Sequence, residues 1–205
     1  YANRGDVDEA IALYQQSLEL KEKIGNVQGK AASLHCLAII YANRGDVDEA
    51  IALYQQSLEL YEKIGNVQGK AASLHCLAII YANRGDVDEA IALYQQSLEL
   101  YEKIGNLQGK AASLHQLAGI YANRGDVDEA IALYQQSLEL KEKIGNLQGK
   151  AASFAMLGQL LASQGDFEQA LNYLQQSLDI LQHLHSPDAE TVKRIIVDVQ
   201  EMADG

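Results

Sequence analysis

The feature that most constrains the fold is an internal repeat. The segment YANRGDVDEAIALYQQSLEL recurs unchanged with a period of 40 residues, starting at Tyr1, Tyr41, Tyr81 and Tyr121. The segments between these copies differ at few positions until the sequence diverges after Leu160. A period of this length is typical of a solenoid, in which each unit packs only against its neighbours. The repeat therefore predicts one elongated domain over residues 1–205 rather than two globular domains.

Within one repeat, apolar residues recur every three or four positions along two consecutive stretches. The stretches cover residues 67–83 and 87–104, and this spacing predicts two amphipathic helices, called helix A and helix B. Between them Gly85 can adopt the left-handed conformation that ends a helix, and Asp86 followed by Glu89 resembles a capping box. The short turn makes the two helices antiparallel, so the sequence predicts an all-α fold built from helix pairs.

The repeat boundaries follow the second turn signal, Gly105-Asn106, which ends helix B and caps the next helix A. This signal divides the chain into a half repeat at 1–26, repeats at 27–65, 66–105, 106–145 and 146–185, and a final helix at 186–205. Ser186-Pro187-Asp188 resembles a helix start, which indicates that the last segment is a capping helix.

Two further expectations concern the buried side of these helices. Tyr61 and Tyr101 occupy a position that is lysine in other repeats, so we expect them at the edge of the buried face. The capping helix should bury one side, formed by Ala189, Val192, Ile195, Ile196, Val199 and Met202. The first helix B lacks a preceding partner and should leave four apolar residues partly uncovered, namely Val7, Ala10, Ile11 and Tyr14. Because uncapped solenoids tend to associate, we expect a possible homo-oligomer through the chain ends.

Composition and charge exclude several classes of partner. The net charge is −12, whereas nucleic acids and anionic membranes attract clustered Lys and Arg. No run of the sequence approaches the roughly 18 apolar residues of a membrane span. We therefore expect a soluble protein that binds neither nucleic acid nor a membrane.

The two cysteines indicate a compartment. Cys36 and Cys76 occupy the same position of consecutive repeats. Stacked helices lie about 8 to 10 Å apart, whereas a disulfide needs Cα atoms closer than about 7 Å. We therefore expect no intramolecular disulfide, which favours a reducing compartment and a cytoplasmic location.

One pattern within each repeat resembles a known family. The residues that carry it are Leu74, Leu77, Ala78, Tyr81, Gly85, Asp86, Ala90, Tyr94 and Leu98. This pattern resembles the tetratricopeptide repeat, although that repeat commonly has about 34 residues. The longer period resembles the branch seen in spindle-orientation adaptors, kinesin light chains and cyanobacterial repeat arrays. The resemblance implies a right-handed superhelix in which helices A line a concave groove that receives an extended peptide or a partner helix.

The resemblance assigns groove positions to helix A, opposite its buried face. They are His35, Cys36, Ile39 and Asn43 in the first repeat, His75, Cys76, Ile79 and Asn83 in the second, His115, Gln116, Gly119 and Asn123 in the third, and Met156 and Gln159 in the fourth. Small alanines lie between them and leave space for a ligand. The isoleucines make the first half of this surface apolar, whereas Gly119 and Gln159 make the second half smaller and more polar.

The asparagines at the end of helix A have two interpretations. A carboxamide both donates and accepts hydrogen bonds, so Asn43, Asn83 and Asn123 could bind the backbone of an extended peptide. Alternatively, each asparagine helps to end its helix, because asparagine is favoured near helix ends for local reasons. The sequence leaves both interpretations open.

The neighbouring arginines also have two interpretations. Arg44, Arg84 and Arg124 could contact acidic groups of a ligand through charge-assisted hydrogen bonds. A salt bridge to Asp46 or Asp48, or to their equivalents, is the favoured interpretation, because exposed arginines near acidic residues usually form solvated pairs.

No set of residues indicates catalysis or metal binding. Adjacent residues on a helix, such as His35 and Cys36, point about 100° apart, so they do not form a tetrahedral metal site. A half-buried or groove-lining role is favoured for them, and we expect no cofactor, no metal and no enzyme activity. The leading hypothesis is a scaffold that binds a protein or peptide partner. The alternative is a structural, self-assembling or engineered consensus-like repeat array.

Overall fold

The computed structural model describes residues 4–204, with side chains described from residue 7 onwards. These residues form ten α-helices and no strand. The helices are α1 (Arg4–Lys23), α2 (Val27–Arg44), α3 (Val47–Lys63), α4 (Val67–Arg84), α5 (Val87–Lys103), α6 (Leu107–Arg124), α7 (Val127–Lys143), α8 (Leu147–Ser163), α9 (Phe167–His183) and α10 (Asp188–Asp204).

The chain divides into two compact units, the N-terminal unit Tyr1–Gly105 and the C-terminal unit Asn106–Gly205. In the N-terminal unit, each helix from α1 to α5 packs against the next. In the C-terminal unit, α6 to α10 pack in the same way, and α10 also contacts α8. Helices A are α2, α4, α6 and α8, and helices B are α3, α5, α7 and α9. The all-α repeat of helix pairs is therefore confirmed.

The turns between helices form where the sequence predicts them. Gly85 has a φ of 91°, and its N–H donates to the carbonyl of Ala82 while the next N–H donates to Tyr81. At the other turn the Asn66 side chain accepts a hydrogen bond from the backbone N–H of Gly69 at 2.9 Å. Both predicted helix ends are confirmed. The left-handed glycine lets backbone N–H groups bond to the last carbonyls of one helix, and the asparagine side chain accepts from a free N–H at the start of the next.

The capping box predicted at Asp86 is wrong. The Asp86 carboxylate makes no hydrogen bond to the helix N-terminus and pairs with the Arg84 guanidinium instead. In the last repeat the arginine is replaced by Gln164, and there Asp166 accepts a hydrogen bond from the backbone N–H of Gln169 at 3.1 Å. The arginine therefore competes with the helix for the carboxylate.

The interior of each helix pair contains a serine from helix B, beside a tyrosine in the first three pairs and Leu174 in the fourth. The tyrosines Tyr54, Tyr94 and Tyr134 are almost fully buried, and the serines are fully buried. Each serine hydroxyl donates to an alanine carbonyl of the paired helix A: Ser57 to Ala31 at 2.9 Å, Ser97 to Ala71 at 2.9 Å, Ser137 to Ala111 at 2.8 Å and Ser177 to Ala151 at 2.8 Å. A buried polar group needs such a partner, so these bonds fix one register for each pair.

The position predicted at the edge of the buried face is inside it. Tyr61 is 7% exposed and Tyr101 is 6% exposed, so the expectation for both residues is wrong. The ring of Tyr61 lies over Gly69, where a Cβ atom would come within 2.5 Å of the ring carbons. The equivalent Lys141 is also only 6% exposed, and its amine donates to the Ser153 hydroxyl at 2.9 Å. Glycine and serine on the next helix A therefore accommodate a large side chain at this position.

The first helix differs from its expected pattern at one residue. Ile11 is 7% exposed, so its predicted exposure is wrong, because α1 turns this residue toward α2. Val7, Ala10 and Tyr14 are partly buried, as expected. The exposed apolar side chains of this helix lie elsewhere, at Leu13 and Leu20, and Ile24 is exposed directly after the helix.

The last helix begins at Asp188, as the sequence predicts, and packs against α9. Ala189, Val192 and Val199 are buried. Met202 is 52% exposed, so its predicted place on the buried side is wrong. Met202 lies in the last turn of α10, beyond the buried Val199, where it remains open to solvent.

Candidate functional site

The predicted groove residues fall into two groups by exposure. Those with exposed side chains are Ile39, Asn43, Asn83, Gln116, Asn123 and Gln159. Those that are half-buried are His35, Cys36, His75, Cys76, Ile79, His115, Gly119 and Met156. None of these residues is sealed in the interior, so in each unit they are at least partly open to solvent.

In the N-terminal unit, several predicted residues line a groove of about 340 Å³ between α2 and α4. From the predicted set it contains Asn43, Ile79, Asn83 and Arg84. The first turn of α3 adds Val47 and Asp48, which the sequence analysis did not assign to a groove. The floor is apolar and the rim carries two carboxamides, a carboxylate and a guanidinium. His35, Cys36, His75 and Cys76 do not line this groove.

The asparagines are not used to end their helices. The helix ends are closed by the backbone N–H groups of Gly45, Gly85 and Gly125 and of the residues that follow them. Among the described residues, Asn43, Asn83 and Asn123 make no side-chain hydrogen bond. Their carboxamides therefore have free donor and acceptor capacity at the surface.

The arginines pair with acidic residues of the same chain. The guanidiniums of Arg44 and Arg84 bond to the carboxylates that follow them by two positions, and Arg124 lies 3.4 Å from the Asp126 carboxylate. Arg44 also contacts the Asp8 carboxylate at 3.3 Å. The predicted intrachain salt bridges are therefore confirmed. A contact between these arginines and an acidic ligand stays a prediction.

The histidines connect successive helices A within each unit. Nδ1 of His35 lies 2.9 Å from Oγ of Ser73 in the N-terminal unit, and Nδ1 of His115 lies 3.3 Å from Oγ of Ser153 in the C-terminal unit. Each ring also meets the buried tyrosine of its own repeat edge to face, with centroids 5.0 to 5.5 Å apart. Sequence reasoning missed these links, because a separation of 38 residues carries no local signal.

The same burial keeps the histidines neutral. Loss of contact with water disfavours the charged imidazolium, so burial lowers the pKa of His75 to about 4. Burial, with a smaller contribution from the positive charge of Lys141, lowers the pKa of His115 to about 4. The pKa of His35 is lowered for the same reason. At neutral pH these rings therefore act as uncharged donors or acceptors.

In the C-terminal unit, a second groove of about 260 Å³ lies between α8 and α10. From the predicted set it contains His115, Met156 and Gln159, and its floor is formed mainly by apolar side chains. Gln116, Gly119 and Asn123 do not line it. The capping helix contributes Asp188, Thr191, Val192 and Ile195, which the sequence analysis did not assign to a groove. The signal that could have found them is the helical spacing of α10, which occupies the position of a further helix A.

In the described part of the chain, no group of three or more His, Cys, Asp or Glu is placed to hold a metal ion. Cys36 and Cys76 are free and half-buried, and burial raises the pKa of the Cys76 thiol. From Arg4 to Asp204, no helix has the length and apolar character that crossing a membrane requires.

Comparison with known proteins shows the class of protein that these helix pairs define. A family model described as "Tetratricopeptide repeat" matches residues 1–63, 29–103, 69–143 and 109–183. These matches span most of the chain, so the chain belongs to the tetratricopeptide-repeat family. A search of curated proteins found no match.

Solved structures agree with this assignment. BtubC (BKLC) from P. vanneervenii is 21% identical with a TM-score of 0.85, over 97% of this chain and 84% of that chain. A putative kinesin light chain of Podosopora anserina with nearly identical TPR-like repeats is 28% identical with a TM-score of 0.69, over 88% of this chain and 89% of that chain. MamA is 19% identical with a TM-score of 0.66, over 89% of this chain and 92% of that chain. The predicted resemblance to the long-repeat branch is therefore confirmed.

Proposed function

We propose that the chain is a scaffold that binds a segment of another protein in the grooves lined by its helices A. Tetratricopeptide-repeat chains generally act as scaffolds for protein interactions. The observation that carries the proposal is that each unit has an apolar-floored groove whose rim presents polar groups from the positions assigned by the resemblance. Such a groove takes up an apolar side chain, while the rim binds backbone groups beside it.

The N-terminal groove suits an extended segment. Asn43 and Asn83 lie one repeat apart on its rim, and each offers a donor and an acceptor, as a peptide backbone requires. Ile79 on the floor supplies apolar contact, which is worth about 25 cal/mol for each Å² removed from water. The helices already hold these groups in place, so little conformational entropy is lost on binding.

The proposal also specifies what the chain does not do. It performs no catalysis and takes no cofactor. Nucleic acids and anionic membranes are not partners, because the net charge of −12 repels both. The chain works in the cytoplasm, where Cys36 and Cys76 remain reduced.

Selection of random displayed peptides on the whole chain tests this function. The double substitution Asn43→Ala and Asn83→Ala should weaken a selected peptide by about 5-fold to 150-fold, because two hydrogen bonds of about 0.5 to 1.5 kcal/mol are lost. The matched control is Gln56→Ala with Gln95→Ala, which changes two exposed carboxamides on helices B outside the groove. Fluorescence anisotropy measures both affinities. Equal affinities in the two double variants, or a failure to enrich any peptide, would contradict the proposal.

A second candidate function is self-association, which one observation favours. Leu13 of α1 is 59% exposed, whereas the equivalent Leu133 of α7 is 8% exposed. Leu20 of α1 and Ile24, the residue after the helix, extend this exposed apolar face. Apolar surface of this kind is favourable to bury, so a second copy of the chain is the proposed occupant.

Light scattering measures the outcome of this second candidate. The mass should rise above that of one chain as the concentration increases, and Leu20→Glu should return it to a single chain. A constant single-chain mass at high concentration would rule out the candidate without affecting the groove proposal.

A further inference from the structure

A chain of three polar groups lies behind the groove of the C-terminal unit. Lys141 is 6% exposed, and its amine lies 2.9 Å from Oγ of Ser153, which is fully buried. The same Oγ lies 3.3 Å from Nδ1 of His115. His115 lines the groove, so these three hydrogen-bonded groups connect the buried Lys141 ammonium to a residue that a ligand can reach.

The direction of each hydrogen bond follows from the donors available. An ammonium only donates, so the Ser153 oxygen accepts from Lys141. Within the described residues the Ser153 hydroxyl has one other partner, Nδ1 of His115. The buried hydroxyl proton is therefore satisfied when Nδ1 accepts it. A neutral imidazole that accepts at Nδ1 carries its proton at Nε2. The nearby positive charge of Lys141 favours the same arrangement, because it attracts the lone pair of Nδ1.

The other ring nitrogen of His115 is not fully buried. Ser153 is the hydrogen-bond partner of this ring in the described part of the chain, through Nδ1. No buried side-chain nitrogen or oxygen in that part lacks a partner, so Nε2 cannot be buried. Because His115 lines the groove, its Nε2–H is a donor at the groove wall.

From this arrangement we infer, resting on the groove function proposed above, that the C-terminal groove binds a peptide segment with an apolar residue next to a basic one. The Nε2–H of His115 donates to a backbone carbonyl of that segment. The apolar side chain contacts Met156 and Ile195 on the floor. The basic side chain faces the Asp188 carboxylate.

Charge complementarity selects the basic neighbour. Among the described residues that line this groove, Asp188 is the one with a formal charge at neutral pH, and its side chain is exposed. The net charge of −12 also attracts a basic segment over a longer range.

The N-terminal unit provides an internal comparison. There the position of Lys141 is Tyr61, so no cation stands behind Ser73. The Ser73 oxygen lies 2.9 Å from Nδ1 of His35 and 3.5 Å from Oγ of Ser57. Because the Ser57 hydroxyl donates to the Ala31 carbonyl, the Ser73 hydroxyl can donate either to Ser57 or to His35. The ring of His35 is therefore not forced into one tautomer, and Lys141 is the feature that distinguishes the C-terminal groove.

Ring nitrogen NMR of the whole chain at neutral pH tests the first part of the inference. His115 should show a protonated Nε2 and an unprotonated Nδ1. Ser153→Ala and Lys141→Tyr should each produce a mixture of tautomers, and the second variant keeps the serine in place if the first fails to fold. A proton at Nδ1 in the unsubstituted chain would overturn the inference, whatever the grooves bind.

Two capped dipeptides test the second part, N-acetyl-leucyl-lysine methylamide and N-acetyl-leucyl-glutamate methylamide. The lysine probe should shift the Met156 methyl signal and bind more tightly than the glutamate probe. His115→Phe, which keeps a ring but loses the donor, should weaken the lysine probe about 2-fold to 12-fold.

The outcomes separate this inference from the groove function. The inference fails, even though selected peptides bind the grooves, if the lysine probe leaves the Met156 signal unshifted. It also fails if His115→Phe binds the lysine probe as well as the unsubstituted chain does, or if the glutamate probe binds as tightly as the lysine probe. If neither probe shifts Met156 and no selected peptide binds, the groove function fails as well.

Discussion

Acidification from pH 7 to about pH 4.5 is expected to lower the free energy of unfolding by several kcal/mol, because buried neutral histidines resist protonation. The pKa values of His75 and His115 are about 4 in the folded chain, whereas a free histidine titrates near 6.5. Between these values the unfolded chain binds more protons than the folded chain, so stability is lost as the pH falls. Each ring contributes about 2 to 3 kcal/mol at most.

Urea denaturation at several pH values measures this effect. A variant with phenylalanine at positions 75 and 115 should lose much of the decline between pH 6.5 and pH 4.5. The matched control replaces His183 and His185 by glutamine, since both are exposed, and it should keep the decline. Carboxylates that gain protons in this range affect both variants equally. An identical pH dependence in the two variants would show that burial of these rings does not control acid stability.

Replacing Lys141 by tyrosine is expected to raise the free energy of unfolding by about 2 to 3 kcal/mol at pH 7. Burial lowers the pKa of the Lys141 ammonium to about 8, so below that pH the folded chain holds a charged group in a poorly solvated site. Gly149 occupies the position of Gly69, over which the ring of Tyr61 lies, so the new ring has a comparable place.

The pH dependence identifies the cause of this stabilisation. The lysine of the folded chain loses its proton above about pH 8, whereas the unfolded lysine keeps it until about pH 10.5. The unsubstituted chain therefore gains stability as the pH rises through this window. The difference in the free energy of unfolding between it and Lys141→Tyr should be smaller at about pH 9.5 than at pH 7. Lys143→Tyr is the exposed control and should change stability little. A difference that stays constant from pH 7 upwards would contradict the role of the buried charge.

Much of the fold could be predicted because its signals are local and repeated. Residues 67–83 were expected to form helix A, and α4 spans Val67–Arg84. A glycine with positive φ and an asparagine cap are visible in sequence, because each meets a backbone requirement within a few residues. The capping box at Asp86 failed for the opposite reason, since Arg84 offers the carboxylate a competing partner.

Packing between helices could not be predicted in the same way. The alternation of Tyr61 and Tyr101 with lysines suggests exposure, yet Lys141 is buried because Ser153 supplies an acceptor from the next helix A. Only the structure shows that the Lys141 amine has a hydrogen-bond acceptor at this buried position.

The candidate site was predicted in part. The resemblance placed Asn43, Ile79 and Asn83 on one surface, and the N-terminal groove contains all three. It did not assign Asp188 to the C-terminal groove, because α10 is not a repeat copy. The link from His115 to Ser153 joins different repeats, which one sequence without structure does not reveal.

The position of a bound peptide on the chain tests most directly whether the grooves of helices A are docking surfaces. A benzophenone amino acid placed at Asn83 or Met156 should crosslink to a selected peptide, because both positions line grooves. The same group at Gln95 or Gln136, on exposed faces of helices B, should give little product. Crosslinks confined to Gln95 and Gln136 would contradict docking in the grooves.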